Sequence, residues 1–205
     1  MLPTKHRRNL TRRQAALGLA FAALAMASSA RRSFGQDRHG RPPQGIDLAP
    51  LFQLTTHRGA RLQPQTLRRR PFAVVFGFTH CPDVCPTTLL HLKTLLDDLG
   101  PVAKAFPVLL VTVDPERDTA AVLAPYVTSI DERIVGLTGS AIEIEAAAHA
   151  FNAFYDKQAP VNGRYSVDHT TRVYLMDAFG LLADAHDPAK EANKLRATLA
   201  KVLKQ

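Results

Sequence analysis

The sequence predicts an α/β fold: a central mixed β-sheet with helices packed on its faces. Two continuous apolar runs carry that reading, "PFAVVFGF" (71–78) and "FPVLLVTVD" (106–114), each suited to a strand covered on both sides. Segments with helical spacing of apolar residues alternate with them. The 205 residues are 46% apolar and 21% charged, enough for one domain with a sizeable core.

Taken in order, "FQLTTHRGARLQ" (52–63) predicts a short N-terminal hairpin turning near His57–Gly59. The 71–78 strand follows. Leu89, Leu92, Leu95, Leu96 and Leu99 then mark a helix over 87–99, ended by Gly100. After the 106–114 strand, a helix is expected through 119–128 with Asp118 as N-cap. "RIVGLTG" (133–139) reads as a short strand. Ser140 and Glu143 form a capping box that opens a long helix to Tyr155. "RVYLMDAFGLLADAHD" (172–187) reads as two strands with a tight turn at Ala178–Gly180, and 188–204 as a last amphipathic helix. Strand, cysteine-bearing loop, helix, strand is also how a thioredoxin-like fold begins.

The chain carries a net charge of +8, which raises the question of nucleic acid. Its distribution argues against that. Residues 1–41 hold nine Lys/Arg and one acid, Asp37, whereas residues 42–205 hold 17 of each sign. The basicity belongs to the leader. Lys5, Arg7, Arg8, Arg12 and Arg13 precede an Ala-rich apolar run, Ala15 to Ala27, and small residues follow at Ser28 and Ala30. Residues 1–30 therefore predict an export signal. "TRRQAAL" (11–17) resembles a bacterial twin-arginine (Tat) signal, and Arg31 and Arg32 fit that type better than ordinary secretion. The competing reading is a weak membrane anchor, for which the run is shorter than the ~20 residues a spanning helix needs. Either way the expected location is the periplasm, free or held at the inner membrane. Residues 31–45, rich in Pro and Gly, read as a flexible linker to a domain over 46–205.

The only two cysteines, Cys81 and Cys85, lie in "FGFTHCPDVCPTTLL", between a buried strand and the next helix. Open amides near a helix start favour a thiolate there. If the loop takes a helical turn, positions i and i+4 project from one face, and both sulfurs point at one ion. Three readings stand. A structural disulfide would close a very short loop and constrain the unfolded chain little. A dithiol redox pair suits an exported protein. A metal site with two thiolates suits copper(I), which accepts low coordination, and a third ligand would help.

Of the eight histidines, His6 and His39 fall in the leader and linker, and His57 in a turn where exposure explains it. His80 abuts Cys81 but would point away from it; His91 sits on the following helix; His149 and His186 have no partner nearby in sequence. His169 lies in a loop leading into an apolar strand, where α/β folds place functional groups. Asp83 and Asp168 adjoin these candidates and are considered as supporting carboxylates. "DPERDT" (114–119) is read as structural, against an alternative in which Asp114 and Glu116 act as paired carboxylates. Arg68–Arg70 read as a solvated approach to the central strand, or as a patch for an acidic partner.

"FGFTHCPDVCPTTL", "VTVDPERDT" (111–119) and "VDHTTRVYLMDAFG" (167–180), in this order and at these separations, resemble the Sco/SenC family over roughly residues 46–204. The resemblance implies a thioredoxin-like copper protein, periplasmic or membrane-associated. Such a protein helps to assemble the binuclear copper centre of respiratory cytochrome c oxidase. It puts the family's ligand cysteines on Cys81 and Cys85 and its ligand histidine on His169. Two thiolates satisfy Cu(I), and the imidazole makes the set acceptable to Cu(II). Without metal the two sulfurs can form a redox disulfide. The partners implied are the copper-receiving oxidase subunit and a periplasmic copper donor, with the chain near the membrane and acting as a monomer. The alternative function is a periplasmic thiol-disulfide oxidoreductase that reduces cysteines of that subunit. A peroxidase-like reading is disfavoured, because no peroxide-site arginine pattern surrounds Cys81.

Overall fold

A computed structural model describes residues 45–204. The expected leader (1–30) and all but the last residue of the expected linker lie outside that range. Eight strands and four α-helices are described: β1 Thr55–Thr56, β2 Phe72–Gly77, α1 Val84–Asp98, β3 Val108–Thr112, α2 Ala120–Ile130, β4 Ile134–Thr138, α3 Ala141–Ala150, β5 Tyr155–Lys157, β6 Val167–His169, β7 Val173–Met176, β8 Leu182–His186 and α4 Pro188–Val202. Six strands form one sheet in the order β1-β4-β3-β2-β7-β8, and β5 and β6 form a separate two-stranded sheet. Strands β2, β3 and β4 run parallel; β1, β7 and β8 join antiparallel. A mixed sheet with helices on both faces, entered by a strand–cysteine–helix unit, is a thioredoxin-like fold.

β2 lies in the middle of the sheet, and all six of its residues are buried. Alternation sends Phe72, Val74 and Phe76 to one face, and Ala73 and Val75 to the other. The first face packs on α3 and on a short 3-10 turn, Ala49–Gln53, through residues such as Ile144, Ala147 and Leu51. Phe76, Phe151 and Tyr174 meet edge-on there, with centroids 5.2–6.0 Å apart. The second face is covered by Leu89, Leu92 and Leu96 of α1, Leu123 and Val127 of α2, and Leu195 and Leu199 of α4. Among the described residues no helix is long and apolar enough to cross a membrane.

Several sequence expectations shift. The helix expected from Thr87 begins at Val84, so Cys85 lies inside its first turn. The hairpin over 52–63 forms but is short: Thr55 bridges Arg61 antiparallel, the Thr56 N–H donates to the Ala60 carbonyl at 2.8 Å and the Leu62 N–H to the Leu54 carbonyl at 3.0 Å, and β1 also pairs with β4. His57, expected in solvent, is buried against that edge; its Nδ1 accepts from the Gly136 N–H at 3.1 Å. Burial, then the neighbouring Arg58 charge, lowers its pKa. Thr119 replaces Asp118 as the N-cap of α2, its hydroxyl accepting from the Val122 N–H. The Ser140–Glu143 capping box forms, but α3 stops at Ala150 rather than Tyr155. Phe151 drops into the core and Asn152 turns left-handed (φ 49°), which ends the helix. The β7–β8 turn closes through Gly180 at φ 77°.

Candidate metal centre

Gly77, Phe78 and Thr79 lead from β2 into the cysteine turn. A Cβ on Gly77 would stand 2.8 Å from the Cys85 Sγ, so the strand end must be glycine for that sulfur to seat. Cys85 is 1% exposed, whereas Cys81 is half-buried at the mouth of the turn. Both thiols are free. The Cys85 N–H points at the Cys81 Sγ, 3.4 Å away. Cys81 has its pKa lowered to about 4, chiefly by the hydrogen bond from the Cys85 thiol, with burial opposing and the Cys85 and Asp83 amides assisting. Cys85 is pushed up, first by holding the proton shared with Cys81 and then by burial. The pair is a thiolate at the rim and a thiol in the core.

The third donor comes from another sheet. His169 is the last residue of β6 and lies opposite Tyr155 of β5, so it sits on a hairpin rather than in a loop. Its Nδ1 lies 3.0 Å from the Thr170 carbonyl oxygen. A carbonyl only accepts, so Nδ1 carries the proton and Nε2 presents its lone pair. That Nε2 lies 3.2 Å from the Cys85 Sγ. The His169 ring stands edge-on to Phe78, with centroids 5.7 Å apart. Cys81, Cys85 and His169 each offer one donor atom, all within 4.8 Å of one another. Two sulfurs and one imidazole nitrogen suit copper far better than a hard cation.

The carboxylates beside these residues face elsewhere. Asp83 is exposed and accepts from the Thr87 hydroxyl at 3.1 Å. Asp168 alternates with His169 along β6 and accepts from Gln158 Nε2 at 2.9 Å. His80 is half-exposed, and His149 is exposed. His186 is buried beside Thr198 and Asp184. Arg68 and Arg69 line a cleft of about 430 Å³ with Leu48, Phe52, Phe72 and Phe179, at the end of β2 remote from the cysteines.

Residues that sequence reasoning did not assign to the site support it. Asp118, fully buried, accepts from the Thr79 N–H at 2.9 Å, the Thr79 hydroxyl at 2.5 Å and the Thr112 hydroxyl at 2.7 Å. It ties the start of the cysteine turn to β3. Asp114 and Glu116 are not a carboxylate pair. Asp114 binds Arg117 and the Tyr165 hydroxyl, and Glu116 pairs with Lys157. The glycine inside an otherwise apolar strand was the one readable signal, marking close backbone approach.

Residues 41–204 match the family model described as SCO1/SenC.

The chain belongs to the SCO1/SenC family.

It is 35% identical over 181 residues to the mitochondrial protein SCO2 homolog of Bos taurus, covering 87% of this chain and 68% of that one. It is 34% identical over 156 residues to the mitochondrial protein SCO1 homolog of Homo sapiens, covering 75% and 52%. Among solved structures, ScoI of Bradyrhizobium japonicum with copper bound aligns with a TM-score of 0.66 at 34% identity, over 74% of this chain and 96% of that one. This SCO1/SenC chain thus shares a fold and a sequence pattern with a protein whose structure holds copper.

Proposed function

We propose that the protein carries copper through Cys81, Cys85 and His169 and delivers it during assembly of the binuclear copper centre of cytochrome c oxidase. The observation that carries this reading is the convergence of two sulfurs and a lone-pair-bearing Nε2 within 4.8 Å. It is supported by the copper held in the related ScoI structure and by the family's involvement in oxidase assembly. The Cys81 thiolate is ready to bind without losing a proton, whereas Cys85 must release one, so uptake is coupled to pH. The chain supplies two soft donors on one turn and a third from the hairpin. A partner with competing ligands reaches the half-buried Cys81 first and displaces the site from that side. The receiver is the copper-accepting oxidase subunit and the donor a periplasmic copper protein, each met by this chain as a monomer. Arg68–Arg70 offer a basic patch for an acidic partner.

A second reading rests on the same thiolate. A half-buried Cys81 with a pKa near 4 and a buried, protonated Cys85 are the attacking and resolving partners of a dithiol reductase. Oxidase activity in cells carrying Cys81→Ser, Cys85→Ser or His169→Ala, at limiting and raised copper, separates the two. A carrier is impaired by all three, and added copper partly restores the His169 variant. Full activity of His169→Ala at limiting copper, with both cysteine variants inactive, gives the site to thiol reduction.

The leader, residues 1–30, acts on this reading as a twin-arginine export signal or retained anchor, with residues 31–45 joining it to the copper domain in the periplasm. Replacing Arg12 and Arg13 by Lys then traps the protein in the cytoplasm. Unchanged delivery in fractionated cells removes the twin-arginine reading.

A further inference from the structure

The segment from Asp114 to Asp118 touches both halves of the site. Its last residue holds the cysteine turn through Thr79. Its first holds the histidine hairpin. Arg117 pairs with the buried Asp114, donates from Nη1 to the Tyr165 carbonyl at 3.2 Å, and places its Cζ over the Tyr165 ring, 3.7 Å from the centroid. The Tyr165 hydroxyl closes the ring of contacts by donating to Asp114 Oδ1 at 2.9 Å. Tyr165 leads into β6, whose last residue is His169. The same guanidinium carbon also lies over the Phe78 ring, 5.7 Å from its centroid, and Phe78 is the ring against which His169 stands.

The hairpin needs such a tie. Among the described residues, β5 and β6 pair with each other and with no strand of the main sheet. No strand ladder therefore fixes how far His169 stands from the sulfurs; side-chain contacts do. Arg117 is suited to this because its planar fork pairs and stacks at the same time, which a lysine ammonium does not.

We propose that Arg117, clamped by Asp114 and Tyr165, is a positioning residue that sets His169 against the two sulfurs and so determines whether the third donor is supplied. The proposal rests on the copper reading for its consequence. With the clamp intact the site offers two sulfurs and an imidazole; with it loosened the site offers the sulfurs alone. Cu(I) tolerates that loss and Cu(II) does not.

The test uses Arg117→Lys, which keeps the charge opposite buried Asp114, and Tyr165→Phe, which removes only the hydroxyl. In metal-free protein, amide exchange at Val167–Thr170 should quicken in both variants while β2 and β3 amides keep the parent's protection. Cu(II) affinity should fall about tenfold, the low end for residues that orient a ligand. Cu(I) affinity, measured against a competing chelator, should match the parent's. Combined with His169→Ala, Arg117→Lys should weaken Cu(II) binding no further. Unchanged exchange at Val167–Thr170, parental Cu(II) affinity in both variants, or an added loss in the His169→Ala background would each overturn the clamp. If His169→Ala leaves both copper affinities at parental values, the ligand assignment fails instead, and the exchange measurement alone decides whether Arg117 holds the hairpin.

Discussion

Cys85 enters the site from the first turn of α1, a helix laid along the main sheet; His169 enters from the end of a three-residue strand in a sheet of its own. The cysteine turn inherits the rigidity of the core. Gly77 lets the Cys85 sulfur seat against the strand end, and Asp118 fixes the preceding loop from beneath. The hairpin has two short strands and a handful of side-chain ties. Local opening free energies follow such differences, lowest where few buried contacts and few ladder bonds hold a segment. The lesson concerns division of labour. On the proposed copper reading, the two soft donors form a permanent pair, and the donor that would widen the site to Cu(II) is mounted on the less constrained hairpin.

The most severe way to test that contrast is at Gly77. Gly77→Ala drives a methyl to 2.8 Å from the Cys85 Sγ and 3.3 Å from Leu110 Cδ1, in a region with no slack. The expected loss is about 1–3 kcal/mol of unfolding free energy, typical of overpacking. Copper affinity should fall for both oxidation states, because the displaced sulfur serves both. Denaturant unfolding and paired Cu(I) and Cu(II) titrations check this. A loss of Cu(II) binding alone would mean that the turn yields while the hairpin does not, reversing the comparison.

How much of this was legible in the sequence divides along the same line. Core-facing strands and helices announce themselves by period, so β2, β3, β7 and the leucine face of α1 could be read directly. The capping box at Ser140 was readable because its chemistry is local. Cys81, Cys85 and His169 stand out as donors chiefly through resemblance; what spacing does not show is that His169 lies on a strand. "YDK" and "VDH" are too short and too polar to carry a period, and only their mutual pairing makes them strands. Asp118 shows the other limit. An Asp at a helix start reads as a cap, but Thr119 beside it serves as well, which frees the carboxylate to turn inward toward Thr79 and Thr112. The burial of His57 escapes the sequence for a similar reason: the turn that carries it docks on β4, a contact remote in sequence.

At Asp118, on the same side of the comparison, the cost in stability is of similar size and the effect on copper smaller, because the carboxylate touches Thr79 and Thr112 and neither sulfur. Asp118→Asn keeps the shape but replaces charge-assisted acceptance by neutral, and one amide oxygen cannot accept from all three donors. A loss of about 1.5–3 kcal/mol is expected, as for hydrogen bonds to a charged group. Amide exchange should quicken at Thr79 and Cys81 and stay unchanged at Val167–Thr170, since the carboxylate touches the turn and not the hairpin. Exchange that quickens equally in both places would show the two halves to be one unit.

The smallest effect is expected where the hairpin acts on the turn's electrostatics. The Cys81 thiolate is favoured first by the Cys85 thiol and next by the Cys85 amide, both contacts within the turn, whereas the neighbouring His169 Nε2 carries a lone pair and donates nothing to it. Iodoacetamide alkylates the thiolate, so the rate at Cys81 reports its ionised fraction. In metal-free parent the rate should stay flat from neutral pH downward and fall only as pH approaches about 4. The sign follows from the lowered pKa: the thiolate persists far below the ordinary thiol value of about 8.5 and is lost as pH falls through the lowered one. Cys85→Ala removes the leading cause and should carry the midpoint well up toward that ordinary value. His169→Ala removes no donor to that thiolate and should leave the midpoint close to the parent's. Cys85, buried and holding its proton, should stay unmodified throughout. If His169→Ala moves the Cys81 midpoint as far as Cys85→Ala does, the turn is not electrostatically self-contained, and the imidazole belongs to the permanent part of the site.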